Sequence, residues 1–183
     1  RVVVFGDQTN YIFGIEKHAL ESVSGTGGDS MKTLRAILTG AQDKKGIKDR
    51  GRPLFLHFVG HGVKKTGPLF KKENGKYGTA SVIKHAKENI KPFLLCVVVN
   101  CCHSYELACE IAEFVPYVVC WEGDMDDGAV GDEVCTKFTN SFYDALFEQV
   151  DEKDSPICVR EAYCSAVSPL KEEEIKLLPI MIS

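Results

Sequence analysis

Two nearly continuous apolar runs dominate the sequence, PLFLHFV at residues 53–59 and PFLLCVVVN at residues 92–100. Runs of this kind are typical of strands that are covered on both faces in a parallel sheet, because a half-exposed strand alternates apolar and polar residues. Each run ends in residues that can do chemistry, GHG at residues 60–62 and CCHS at residues 101–104. The pattern predicts an α/β fold with functional groups beyond the ends of two strong strands.

Shorter segments complete an alternation of strands and helices. Further strands are expected at residues 2–5, 116–121 and 177–182. Loops are expected at residues 24–30 and 64–78, where glycine and charged residues predominate. Helices are expected at residues 11–23, 31–38, 79–90 and 157–167. Two more helices are expected where apolar residues recur at helical spacing. Their apolar positions are Leu107, Ala108, Ile111, Ala112 and Val115 in the first, and Val134, Phe138, Phe142, Ala145 and Leu146 in the second. This alternation predicts a mostly parallel central sheet with helices on both faces.

Length and apolar content favour one core. A chain of 183 residues with 44% hydrophobic residues can fill one α/β domain and is short for two, so we expect a single domain over residues 1–183. The chain begins with Arg1 rather than methionine, and a predicted strand follows at once. We therefore expect it to be a piece of a longer protein.

The eight cysteines lie mostly within apolar runs, where free thiols pack well. The sequence has no signal peptide, no apolar span of membrane length and no zinc-type CxxC pair, which together predict a reduced cytoplasmic protein.

Charge is distributed unevenly. Residues 64–91 carry eight lysines and two glutamates, whereas residues 122–154 carry eleven acidic residues and two lysines. Because no arginine cluster or interleaved aromatic residues accompany the lysines, we expect no nucleic-acid partner. The acidic segment could attract a basic substrate.

If the two strong strands are neighbours, His61 and a cysteine of the CCHS segment meet at one edge of the sheet. An imidazole beside a thiol can activate it as a nucleophile. The backbone N–H of Gly62 is unobstructed by a side chain and, with the N–H of the nucleophile, could stabilise an oxyanion.

Other chemistries fit these residues less well. A phosphatase loop needs arginine six positions after the cysteine, where Leu107 or Ala108 stands, and a CxxC redox motif would need cysteine at Tyr105. The glycines of residues 24–30 lack the Lys-Ser/Thr of a phosphate loop. A metal site of His57, His61 and Cys102 has no evident acidic or second cysteine ligand, so no metal and no cofactor are expected.

The segments FLHFVGHG and CVVVNCCHSYEL resemble the His-Gly and Gln-Ala-Cys-Arg-Gly motifs of caspase-like cysteine peptidases. They are more similar to the CHAT branch, whose pattern reads His-x-x-x-x-His-Gly and Asn-Ala-Cys-x-Ser. Residues 115–146, with Asp127 and the pair Phe142-Tyr143, and residues 155–167 are similar to the segments that follow in that family. The resemblance covers about residues 53–168.

This resemblance implies a caspase-like three-layer sandwich and hydrolysis of peptide bonds. It implies Cys102 as nucleophile, His61 as base and acid, and the N–H groups of Gly62 and Cys102 as oxyanion donors. Asp127, with Asp126 behind it, is the implied pocket for a basic side chain before the scissile bond, and Trp121 is a third candidate for substrate contact. The implied partners are a protein or peptide substrate and a regulatory protein, with no membrane.

Several alternatives stay open at this stage. Asp127 could be an ordinary loop or helix-terminal carboxylate, and Trp121 and His57 could belong to the core. The motif alignment favours Cys102 as nucleophile, although Cys101 could face the cleft instead, and His103 stands where caspases carry arginine. The whole domain could be a latent caspase-like interaction or signalling domain, or a thiol hydrolase or acyltransferase that acts on small molecules.

Overall fold

The computed structural model describes residues 2–6, 21–24, 54–60, 62–63, 67–71, 77–79, 94–123, 130–151, 156–173, 175 and 178–183. Its strands are β1 (Val2–Gly6), β2 (Glu21–Ser24), β3 (Phe55–Val59), β4 (Gly62–Val63), β5 (Gly67–Lys71), β6 (Tyr77–Thr79), β7 (Cys96–Asn100), β8 (Tyr117–Cys120) and β9 (Ile180–Ile182). Its helices are α1 (Tyr105–Ala112), α2 (Val130–Asp151) and α3 (Val159–Glu172).

The main sheet has the strand order β2-β1-β3-β7-β8-β9. All neighbouring strands are parallel except β8 and β9, which are antiparallel. The four of these strands whose side chains are described, β3, β7, β8 and β9, thus form a mixed and mostly parallel sheet. The predicted α/β class and the parallel arrangement of the two strong strands are confirmed.

Helices cover both faces of the described sheet, as predicted. We call the side under α2 and α3 the aromatic face; its buried residues include Trp121, Phe138, Phe142 and Tyr143. We call the side under α1 the aliphatic face; it is filled mainly by valine, leucine, isoleucine and alanine, with Phe58 and two cysteines. Every residue of β3 and β7 is buried, which explains their unbroken apolar sequence.

The amphipathic helices follow the predicted periodicity. Val134, Phe138, Phe142 and Leu146 of α2 recur every four residues and are all buried. Helix α3 extends past the predicted end at residue 167 and through Pro169, because Leu170 continues its buried stripe. No helix in the described part of the chain combines the length and apolarity needed to cross a membrane.

The two largest differences from the predicted secondary structure lie at residues 21–23 and at residues 67–71 and 77–78. A helix was expected at residues 11–23, but its described part, residues 21–23, belongs to β2, which pairs in parallel with β1. The rest of that prediction, residues 11–20, lies outside the described residues. The loop expected at residues 64–78 contains β5 and most of β6, which pair with each other in antiparallel fashion. In that segment, backbone pairing between the two strands outweighs the lysine-rich composition that suggested a loop.

Other predictions fall largely or wholly outside the described residues. These are the helix at residues 31–38, the loop at residues 24–30, of which only Ser24 is described, as the last residue of β2, and the helix at residues 79–90, of which only Thr79 is described, as the last residue of β6.

Candidate active site

The two strong strands end level with each other. Strands β3 and β7 are adjacent and parallel, and Val59 is paired in register with Asn100. The N–H of Gly60 donates a hydrogen bond to the Asn100 carbonyl at 3.4 Å. The chain segments that follow Val59 and Asn100 therefore leave the same edge of the sheet side by side, at the carboxyl ends where α/β proteins bind their ligands.

Three predicted site residues lie outside the described residues, namely His61, Asp126 and Asp127. The structure describes the residues on both sides of position 61, with Gly60 after β3 and Gly62 at the start of β4. It also describes both candidate nucleophiles, Cys101 and Cys102.

The two adjacent cysteines have different surroundings. Cys101 is 2% exposed and belongs to the core of the aliphatic face, beside residues such as Ala108 of α1. Burial raises the pKa of the Cys101 thiol well above its usual value, and the neighbouring Cys102 raises it further. A thiol held in its neutral form is a poor nucleophile. Cys102 is also buried, at 7% exposed, but it belongs to neither hydrophobic core cluster of the described residues, which favours it over Cys101 as the reactive thiol.

The turn that carries Cys102 includes an unusual backbone conformation. His103 has a φ of 50° and is the one non-glycine residue with positive φ among those described. Such a left-handed conformation costs about 1–2 kcal/mol for a residue with a Cβ, and the His103 N–H is held by the carbonyl of Gly123 at 3.0 Å. Backbone strain that is stabilised by its surroundings is frequent at functional sites.

Ser104 fixes the end of this turn. Its hydroxyl donates to the Val99 carbonyl at 3.1 Å and accepts the backbone N–H of Trp121 at 2.9 Å. Its own N–H donates to the Trp121 carbonyl at 3.0 Å, and its carbonyl accepts the N–H of Ala108 at 2.9 Å in the first turn of α1. The fully buried Ser104 thus links β7, the residue that follows β8, and α1 at one point.

Asn100 fixes the beginning of the turn. Its side-chain oxygen accepts the indole N–H of Trp121 at 2.7 Å, and its amide nitrogen donates to the hydroxyl of Thr139 on α2 at 3.1 Å. Both partners are buried, with Trp121 completely so. The structure therefore favours a packing role for Trp121 over the substrate contact that the sequence suggested, because its ring is enclosed and its N–H is bonded internally.

Sequence reasoning did not find these links, although it used Asn100 and Ser104 to align the motif. Their partners Trp121 and Thr139 are 21 and 39 residues distant in the chain. The sequence did contain one signal of such a network: two polar residues, Asn100 and Ser104, stand four positions apart at the end of a buried apolar strand. Buried polar groups require hydrogen-bond partners, and that requirement alone indicates a network.

His57 is a core residue, as one of the sequence hypotheses held. It is fully buried on the aromatic face, and its Nδ1 lies 3.1 Å from the hydroxyl of Tyr143. The two rings also stack, with centroids 5.6 Å apart. Burial lowers the pKa of His57 to about 3, so its imidazole is neutral at physiological pH.

Neither disulfides nor a described metal cluster contribute to this region. All eight cysteines lie in the described segments, and no disulfide joins any two of them. Within the described ranges, no group of three or more His, Cys, Asp or Glu residues is arranged to hold a metal ion.

The sequence was compared with known protein families and with curated proteins. No protein-family model matches it, and no curated protein matches it. The resemblance to CHAT domains therefore rests on the sequence motifs.

Proposed function

We propose that this chain is a caspase-like cysteine endopeptidase in which Cys102 is the nucleophile and His61 is the general base and acid. The observation that carries the proposal is the register of β3 and β7, in which Val59 is opposite Asn100. His61 follows Val59 by two residues and Cys102 follows Asn100 by two residues. Adjacent parallel strands are about 4.8 Å apart, so the strand ends that precede these two residues lie side by side.

The chemistry follows from these two groups. The imidazole of His61 would accept the thiol proton of Cys102, and the sulfur would attack the peptide carbonyl carbon. The N–H groups of Cys102 and Gly62 would stabilise the negative oxygen. Collapse of the intermediate would break the C–N bond, with the imidazolium protonating the leaving amine. Water, deprotonated by His61, would then release the acyl group and regenerate the thiol.

The fold supports the same proposal. A mostly parallel sheet with helices on both faces is the arrangement that the resemblance implies for a caspase-like sandwich. The candidate nucleophile follows the carboxyl end of a central strand, and α1 begins three residues after it. The positive end of a helix dipole favours a nearby thiolate.

We further propose that the enzyme cleaves after a basic residue. Asp127, with Asp126 beside it in sequence, would pair with the arginine or lysine side chain that precedes the scissile bond. The eleven acidic residues of the segment 122–154 would also attract a basic peptide. No cofactor is needed for this reaction.

Digestion of a peptide library, read by mass spectrometry, tests the activity. The wild-type chain should cleave after arginine or lysine. Cys102→Ala and His61→Ala should abolish cleavage, and Asp127→Ala should remove the basic preference. Cys101→Ala is the matched control and should retain the wild-type cleavage pattern. Cleavage by Cys102→Ala that equals the wild type would contradict the proposal.

A second candidate function is a latent caspase-like domain that binds a regulatory protein. The low exposure of Cys102, which is 7%, favours it because a substrate carbonyl must reach the sulfur. In this case the wild type would leave the library intact, and its Cys102 would react no faster than an ordinary buried cysteine.

A further inference from the structure

The turn that carries Cys102 is anchored at both of its ends to one residue. Before the turn, the side chain of Asn100 accepts the indole N–H of Trp121. After the turn, Ser104 bonds to the backbone N–H and carbonyl of the same tryptophan. The three residues between, 101–103, include the strained His103. A single buried residue thus spans the base of the loop, through its indole N–H at one end and its backbone at the other.

This arrangement is more polar than packing requires. An apolar residue at position 100 would fill the core at the end of β7 without any polar group to satisfy. Burying an amide without partners costs several kcal/mol, and here both ends of the Asn100 side chain have partners, Trp121 and Thr139. A fully bonded buried network favours one geometry over its alternatives.

The geometry of such a loop matters for a nucleophile. A displacement of about 1 Å at a reacting group can lower a rate by about 100-fold. The backbone N–H of the nucleophile must also point at the developing oxyanion, at a distance of about 2.7–3.1 Å. Fixing residues 100 and 104 restricts the positions of both the thiol and the backbone N–H of Cys102.

We propose that Trp121 is a positioning residue for Cys102, acting through Asn100 and Ser104, and that Thr139 extends this link to α2. We call Asn100, Ser104, Trp121 and Thr139 the clamp. This inference rests on the proposed function, because it assumes that Cys102 is the nucleophile. It assigns Trp121 a role in the reaction without contact with the substrate.

The experiment uses two variants of the clamp and one control. Trp121→Phe keeps an aromatic ring and removes the indole N–H, and Thr139→Val removes the hydroxyl that Asn100 contacts. Tyr143→Phe is the matched control, because it also removes one buried hydroxyl of the aromatic face, but that hydroxyl bonds to His57. Thr139→Ser restores the hydroxyl and should return the wild-type values.

Two measurements are made on each variant. The first is the ratio of the second-order rates at which a peptidyl arginine chloromethyl ketone and iodoacetamide alkylate Cys102, read by peptide mass mapping. Both reagents require an accessible thiolate, but the ketone also requires correct placement of its carbonyl, so the ratio isolates positioning. The second is hydrogen–deuterium exchange of peptides that cover residues 100–104 and 121.

The proposal expects the rate ratio to fall about 10- to 100-fold in Trp121→Phe and by a smaller factor in Thr139→Val. Exchange in residues 100–104 should accelerate in both, and Tyr143→Phe should leave both measurements unchanged. Faster exchange with an unchanged rate ratio would overturn the proposal, since the clamp would then be purely structural. Unchanged exchange in Trp121→Phe would overturn it as well.

A His61→Ala variant separates this inference from the proposed function. If His61→Ala leaves the ketone rate of the otherwise wild-type chain unaltered, the dyad is wrong, and the positioning role is overturned with it. If His61→Ala lowers the ketone rate and Trp121→Phe does not change the rate ratio, the dyad stands and the clamp alone is overturned.

Discussion

The two faces of the described sheet differ in what their buried residues do. On the aliphatic face, α1 contributes Ala108 and Ile111 to a core of mostly nonpolar groups. On the aromatic face, the buried side chains of Trp121, Thr139 and Tyr143 end in polar atoms that make hydrogen bonds. The aromatic face thus combines packing with positioning, whereas the aliphatic face provides packing and shields Cys101.

From this difference we expect the two neighbouring cysteines to react differently. Cys101 belongs to the aliphatic core, and Cys102 follows it in a turn whose ends are bonded to the aromatic face. Substitutions on the two faces should therefore separate stability from the reactivity of Cys102.

The largest effect is expected from Phe138→Ala on the aromatic face. This change should lower the free energy of unfolding by about 3–5 kcal/mol, and Ile111→Ala on the aliphatic face by about 2–5 kcal/mol. Phe138 meets the Trp121 ring edge-on, with centroids 6.1 Å apart, so only Phe138→Ala should also slow alkylation of Cys102 in the folded state. Urea denaturation and rate measurements in the absence of urea check both. Equal slowing in the two variants would contradict the difference between the faces.

Ser104→Ala should destabilise the fold by about 1–3 kcal/mol, because it leaves the Val99 carbonyl and the Trp121 N–H without the hydroxyl they share. Ser165→Ala is the control, since Ser165 is an exposed serine within α3, and we expect a change within about 0.5 kcal/mol. Urea denaturation gives both values. If Ser104→Ala lowers the free energy of unfolding no more than Ser165→Ala does, the Ser104 hydroxyl contributes little to stability.

His57 should make stability depend on pH below neutrality. The pKa of His57 is about 3 in the folded protein, against the ordinary histidine value of 6.5 that applies to the unfolded chain. Between these two pH values the unfolded chain therefore binds one proton more than the folded protein. Stability from this group is complete above about pH 6.5 and falls as the pH decreases, by at most about 1.4 kcal/mol per pH unit. His57→Asn keeps a polar group toward Tyr143 and does not titrate, so its stability should decline less between pH 6.5 and pH 4.5. Identical pH slopes for the two proteins would contradict the burial of a neutral His57.

The smallest expected effects concern the structural thiols. Burial raises the pKa of Cys120 to about 12 and also raises those of Cys96 and Cys101. N-ethylmaleimide should label the exposed Cys109 and Cys164 in the folded protein, whereas these three should label only after unfolding. Mass mapping checks the order of labelling. Labelling of Cys101 at the rate of Cys109 would show that the aliphatic face does not shield it.

The sequence predicted the strongest parts of the fold well. The apolar runs that contain β3 and β7, and the four-residue recurrence from Val134 to Leu146, specify elements whose burial pattern is local and continuous. Strands β2, β4, β5 and β6 were missed, because they have two to five residues each and depend on pairing with other strands.

The candidate site was predictable only in part. The position of Cys102 after a central strand follows from the sequence pattern. Its clamp depends on Trp121 and Thr139, which the fold brings to Asn100 from distant parts of the chain. Local periodicity carries no information about such contacts. The closeness of His61 to Cys102 stays a prediction.

The pH dependence of Cys102 alkylation tests the proposed dyad most directly. Iodoacetamide rates at Cys102 are measured from pH 4 to pH 10 in the wild type and in His61→Ala. A thiol paired with an imidazole should react with a pKa well below the ordinary value of about 8.5, and the substitution should move that pKa upward. A Cys102 pKa at or above 8.5 that His61→Ala does not alter would contradict the proposed peptidase site.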